Sequence, residues 1–165
     1  SIDLRVQGSP LHAKVFAAVG VNPTPLDYME VYNAIKTGVV DGLENEPAGL
    51  EGMKFYEVAP YYVMTRHQIT TRILAFSQPR LDTFPQDMQD AILKAGLEAG
   101  RWHRKTEVAE AQEIIANLEK NHGLTAIELS DADNKIIQER ALPVVRDYAK
   151  EVGALEIFER IQAMD

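Results

Sequence analysis

Residues 28–47 read YMEVYNAIKTGVVDGLENEP and decide the fold. Asp27, just upstream, suits a helix cap, and Glu30 stands three residues on, the spacing of a capping box. Val31, Ala34 and Ile35 recur at helical spacing, and Gly38 suits the left-handed stop. Val39 and Val40 open a short strand. Its far end is Asp41-Gly42-Leu43-Glu44-Asn45, and Pro47 takes the first turn of a further helix. An Asn at the carboxyl end of a strand, beside a helix start, lies where open α/β sheets place ligands. The spacing marks a site without naming what binds.

Upstream, Ile2, Leu4 and Val6 alternate with Asp3, Arg5 and Gln7, which reads as a strand with one apolar face. Gly8 ends it. Ser9 caps a helix with Pro10 at its first position, Ala13, Phe16 and Ala17 form the apolar face, and Gly20 stops it. Pro23-Thr24-Pro25-Leu26 leads into the capped helix after Asp27. The order β-α-β-α-β argues for a mostly parallel sheet with helices on its faces.

Downstream of Pro47 lies a short helical patch with Met53, Phe55 and Tyr56. Tyr61–Thr65 reads as a strand, Arg66-His67-Gln68 interrupts, and Ile69–Ser77 reads as a second strand. Pro85 opens the longest element, a helix to about His122 with Gly123 as its stop. Met88, Ile92, Ala95, Ala99, Trp102, Thr106 and Ala109 form a sustained apolar stripe on it. At 1.5 Å per residue it is roughly 50 Å long, so it either touches two bodies or bends at Gly96 or Gly100. Thr125–Leu129 reads as a strand. Ser130 caps a last helical region with Asp131 and Asp133 in its first turn, favourable with the helix dipole. Pro143 is expected to kink or split that region, and Gly153 to separate a terminal helix ending near Met164.

The chain has 165 residues, 45% hydrophobic and 25% charged, the balance of an ordinary folded core. Its net charge of −8 argues against a nucleic-acid surface and against docking on an anionic membrane. No apolar run is long enough for a transmembrane helix. With no cysteine there is no disulfide framework, thiolate metal site or cysteine nucleophile. Nucleophile elbows, phosphate loops and dinucleotide fingerprints are missing, and the four histidines show no metal-ligand spacing. No cofactor is expected.

Leu4-Arg5-Val6, Pro23-Thr24-Pro25, Glu30-Val31-Tyr32, Gly38-Val-Val-Asp-Gly42, Glu44-Asn45 and Lys54-Phe-Tyr-Glu-Val58 follow one another at characteristic gaps. In these pieces the chain resembles the DctP-like extracytoplasmic solute-binding proteins of tripartite ATP-independent periplasmic (TRAP) transporters, from Ile2 to the end. The resemblance implies an α/β fold of the type II periplasmic-binding-protein kind, of which this chain is the C-terminal lobe with a long lobe-spanning helix. It implies that most of the first lobe and a signal peptide lie upstream. Residues 1–70 and 111–165 would form the ligand-binding lobe, and 71–110 would pack on the first lobe. The implied function is capture of a small organic carboxylate (a dicarboxylate, a keto or hydroxy acid, or a sugar acid) outside the cytoplasm. The ligand would be delivered to the membrane subunits of the transporter, with no catalytic step.

The resemblance also implies residue roles. Arg5 is the carboxylate anchor, Asn45 contacts the ligand from the neighbouring strand end, and Tyr28 lines the cleft. Some relatives hold a cation beside the bound carboxylate, and Glu44 is the first ligand to suspect for one. The family usually has Gln before the Glu-Asn pair and Pro directly after it, where Leu43 and Glu46 stand here. Gly8 replaces a residue that is often polar.

Each role has a plainer reading. Arg5 could be a strand-surface cation paired with an acid, Asn45 a turn residue bonding its own backbone, and Tyr28 a helix-packing aromatic. The functional chemistry is direct. The guanidinium fork meets both oxygens of a carboxylate, and Asn can donate to a ligand oxygen while accepting from a hydroxyl. Trp102 reads as core, and His103 with Glu107 as a solvated i,i+4 pair. Two other classes stay open: an α/β enzyme acting on carboxylic acids through Asp41, Glu44 or His67, and a helical interaction module using the 88–109 stripe. If that stripe is covered only by the missing lobe, this chain alone should self-associate.

Overall fold

The computed structural model describes residues 2–69 and 73–164, apart from the side chain of Val108. Strand β1 (Asp3–Val6) sits at the centre of a three-stranded sheet, between β2 (Asn22–Pro25) and β3 (Gly42–Leu43), and both pairings are parallel. Pro23 and Pro25 fall within β2, which is tolerated because β2 is the edge strand. Between the strands run α1 (Pro10–Ala18) and then a 3₁₀ turn (Tyr28–Glu30) continuing into α2 (Val31–Lys36). The first third of the chain is therefore the expected β-α-β-α-β unit.

The caps follow the sequence closely. Ser9 accepts from the His12 amide and Asp27 from the Met29 amide. Gly38 has φ 74°, and its amide donates to Ile35 while that of Val39 donates to Ala34, a Schellman closure. This closure corrects the reading of Val39 and Val40 as the start of a strand. Both their amides point back at the Ala34 carbonyl, so the ladder begins only at Gly42.

Helix α3 (Pro47–Gly52) and a 3₁₀ turn (Phe55–Glu57) lead to β4 (Tyr61–Met64), which pairs in parallel with β5 (Thr125–Glu128) in a second sheet. A short helix α4 (Gln78–Leu81) precedes α5 (Gln86–His122), a continuous helix of 37 residues and about 55 Å. Gly123 stops α5 at φ 72°. Helix α6 (Asp131–Glu151) is capped by Ser130 and packs on α1, and α7 (Leu155–Gln162) ends the fold. Pro143 lies inside α6 without splitting it. The core joins Val31 of α2, Leu50 of α3, Phe55, Leu118 of α5 and Leu124, all buried.

Two further readings are corrected. The expected strand Ile69–Ser77 falls partly on residues outside those described, and 73–77 are not in a strand. No described strand lies beside them to supply a ladder, and Ile73 and Leu74 are largely exposed, with Leu74 against α5 at Gly96. Trp102, read as core, is 67% exposed, and Met88, Leu93 and Leu97 on the same half of α5 are exposed too.

Candidate ligand site

The first residue to place is Arg5. It occupies the third position of β1 and is 6% exposed. Its Nε and Nη2 each donate to the Leu26 carbonyl oxygen at 3.1 Å, a backbone clamp supplied by the segment after β2. Among the described residues no carboxylate pairs with the guanidinium. The plainer reading, a surface cation paired with an acid, therefore does not describe it.

Tyr28 stands beside it, the Arg5 guanidinium carbon lying 5.6 Å from the centre of the phenol ring. That ring meets Phe55 edge-on at 5.7 Å, so a buried core residue fixes its plane. The Tyr28 hydroxyl accepts from Asn45 Nδ2 at 3.1 Å, and Asn45 Oδ1 accepts from the Glu46 amide at 2.9 Å. Asn45 thus bonds its own turn, as the plainer reading has it, and also extends the Arg5–Tyr28 row. Gly49 in α3 makes room for it. A Cβ there would fall 2.5 Å from Asn45 Oδ1 and 2.7 Å from Nδ2. Gly49 has no left-handed φ, so the requirement is for space.

Arg5, Tyr28 and Asn45 line one open cavity of about 400 Å³, with Gln7, Glu44, Glu46 and Gln68 completing its wall. Sequence reasoning missed Gln7, Gln68 and Gly49. Gln7 carried a signal, since it continues β1 two residues beyond Arg5 and so shares a strand face with it. Glu44 lies 3.8 Å from His67, its carboxylate facing Nε2. Among the described residues no three His, Cys, Asp or Glu side chains gather as metal ligands. Tyr62, whose hydroxyl donates to the Asn45 carbonyl at 3.5 Å, backs the turn. Burial, and then the Glu46 carboxylate, raise its phenol above the ordinary 10.0. A second, largely apolar cavity of about 610 Å³ opens between the two sheets, lined by Leu4, Phe16, Leu43, Leu50 and Tyr62 among others.

A parallel α/β unit joined to a long helix is the architecture of one lobe of a type II periplasmic-binding-protein fold. Residues 1–151 match the bacterial extracellular solute-binding protein family 7 (DctP), and the chain belongs to that family. It is 39% identical over 160 residues to a solute-binding protein of Sulfitobacter sp. NAS-14.1, covering 97% of this chain and 48% of that protein. A crystal structure of a TRAP periplasmic solute-binding protein from the same organism, with bound α-D-taluronate, matches with TM-score 0.88 at 39% identity, over 97% of this chain and 51% of that one. One from Roseobacter denitrificans with bound β-D-glucuronate matches with TM-score 0.88 at 28% identity, over 100% and 54%. The chain therefore spans about half the length of the relatives it matches. The family is extracellular, and among the described residues no helix is long and apolar enough to cross a membrane. These relatives are named as binding proteins, not enzymes.

Proposed function

We propose that this chain is the carboxylate-anchoring portion of an extracytoplasmic receptor that captures a sugar acid and delivers it to the membrane subunits of a TRAP transporter, without a catalytic step. The observation that carries the reading is the buried Arg5 guanidinium, held by a backbone carbonyl and bordering the cleft beside Tyr28 and Asn45. A carboxylate that accepts from it gains roughly 1.5–3 kcal/mol per hydrogen bond. Among the described residues Arg5 is the sole basic side chain on the cavity wall, whose other polar groups are amides, a phenol and two carboxylates. One ligand carboxylate has a partner on this wall. Ligand hydroxyls suit the amides, which favours a uronate over a dicarboxylate. The uronates bound by the Sulfitobacter and Roseobacter proteins support the same choice.

In this reading residues 71–110 pack on the remainder of the receptor, which would cover the exposed half of α5. A thermal-shift screen of uronates, aldonates, dicarboxylates and keto acids against the full-length receptor tests the proposal. We expect stabilisation by sugar acids and little by succinate. Stabilisation by dicarboxylates alone would overturn the ligand class, and none by any carboxylate would remove the anchor.

A further inference from the structure

Two amide side chains of the cavity wall, Gln7 and Gln68, are hydrogen-bonded to the two ring nitrogens of one histidine that sequence reasoning left aside. Gln7 Nε2 meets His12 Nδ1 at 2.5 Å, with Nε2 of the same ring farther off at 3.4 Å, and Gln68 Oε1 meets His12 Nε2 at 2.6 Å. His12 stands in the first turn of α1, fixed by its own amide donating to the Ser9 cap. Gln7 follows the end of β1, and Gln68 lies in the segment that leaves β4. That segment is also held to α1 by His67, whose ring meets Phe16 edge-on at 5.2 Å.

The chemistry of an imidazole makes these two contacts interdependent. A neutral ring has one N–H donor and one acceptor nitrogen. Gln7 offers its NH₂ group to Nδ1, so Nδ1 accepts. Gln68 offers its carbonyl oxygen to Nε2, so Nε2 carries the proton and donates. Each amide then has its opposite end left over. Gln7 retains Oε1, an acceptor, and Gln68 retains its NH₂, a donor. Among the described residues neither leftover group has another hydrogen-bond partner, and both side chains border the cavity that holds Arg5. Converting the ring to the Nδ1–H tautomer would require both amides to turn over and exchange these polarities.

We infer that His12, in its neutral Nε2–H form, is a positioning residue that sets the polarity of two amides in the ligand cleft, so that Gln7 presents an acceptor and Gln68 a donor to the hydroxyls of the bound acid. The ligand half of this inference rests on the sugar-acid reading above. The orientation half stands on the hydrogen bonds alone. His12 itself touches no ligand in this account. Its effect appears on hydroxyl recognition and spares the carboxylate held by Arg5.

The test uses the full-length receptor and four variants, Arg5→Ala serving as the control for the anchor. His12→Phe keeps the ring and removes both hydrogen bonds, His12→Asn keeps a short acceptor toward Gln7 but not the reach to Gln68, and Gln7→Leu deletes one amide. Calorimetry with D-glucuronate and with glycolate, a carboxylate with a single hydroxyl, separates the two recognition tasks. We expect His12→Phe to weaken D-glucuronate about tenfold, the loss of roughly one hydrogen bond, while glycolate changes less than about twofold. His12→Asn should fall between His12→Phe and wild type. Equal weakening of both acids would mean a merely structural role and would overturn the inference. Imidazole ¹⁵N spectra of the ligand-free receptor, with the His12 signal identified by its loss in the variants, give the second readout. The Nε2–H pattern is expected, and an Nδ1–H or doubly protonated ring at neutral pH would overturn the assigned polarities. If wild type binds no sugar acid at all, the receptor reading falls and the ligand half falls with it. A loss of binding on Arg5→Ala combined with no discrimination in the His12 variants would sink this inference alone.

Discussion

At the scale of single residues, the site is built by neighbours that hold its side chains in place. Arg5 is clamped by the Leu26 carbonyl, Tyr28 by the edge of Phe55, and Asn45 by the space that Gly49 leaves. Gly49 offers a direct check. In an ordinary helix Gly→Ala gains about 0.5–1 kcal/mol. Here the new Cβ collides with the Asn45 amide group, which must rotate away and give up its bonds to the Glu46 amide and the Tyr28 hydroxyl; that loss offsets the helix gain, and the proposed ligand contact of Asn45 goes with it. Gly49→Ala in the full-length receptor should leave the melting temperature little changed while sugar-acid affinity drops about tenfold by calorimetry. Unchanged affinity would show that Asn45 does not touch the ligand. Tyr62 gives a pH test. Its native pKa is raised above 10.0, chiefly by burial and then by Glu46, so the native state holds the proton more tightly than the unfolded chain. The associated stability is complete below about pH 10 and is lost as pH rises through the native value. Denaturation at about pH 9 and about pH 11 should show a smaller loss for Tyr62→Phe than for wild type. Equal losses would mean that Tyr62 titrates as an ordinary phenol. That Arg5, Tyr28 and Asn45 come together on one cavity wall was legible because a strand, a cap and a strand end each fix one of them. Gly49 and the Gln7–His12–Gln68 link were not, since a required gap and a contact between distant segments leave no periodic trace in the chain.

At the scale of elements, the caps predicted most and the strands least. Ser9, Asp27 and Ser130 all accept amide hydrogen bonds where the sequence places them, because a cap is decided by residues within one turn. Ser130 also donates to the Asp133 carboxylate at 2.6 Å, closing the first turn of α6 from both sides. Ser130→Ala should therefore destabilise the fold by about 1 kcal/mol in denaturant titration, and an unchanged midpoint would show that α6 is held by its packing on α1 alone. A strand instead needs a partner that local sequence does not contain. Val39 and Val40 are apolar and β-branched, yet their amides are committed to the end of α2. Residues 73–77 look extended and apolar, yet no described strand lies beside them. Pro23 and Pro25 argue against a strand, yet an edge position tolerates them.

At the scale of the whole molecule, burial is uneven along α5. Leu118 near its end is fully buried in the core, whereas Met88, Leu93, Leu97 and Trp102 lie exposed, together with Ile69, Ile73 and Leu74 before the helix. An apolar face of this kind seeks cover. Because the relatives are about twice as long, we expect the rest of the receptor to supply it. The 165-residue chain alone should then dimerise or aggregate in sedimentation velocity, while the full-length receptor stays monomeric. A strictly monomeric fragment would count against that division of the chain. The proposed anchor is probed by calorimetry, with D-glucuronate titrated into the full-length receptor and into its Arg5→Ala variant. Loss of two charge-assisted hydrogen bonds predicts an affinity at least about a hundredfold weaker in the variant, whose melting temperature also falls because the buried side chain and its clamp on Leu26 are lost. An unchanged affinity in a folded variant would rule out Arg5 as the anchor and place the carboxylate elsewhere.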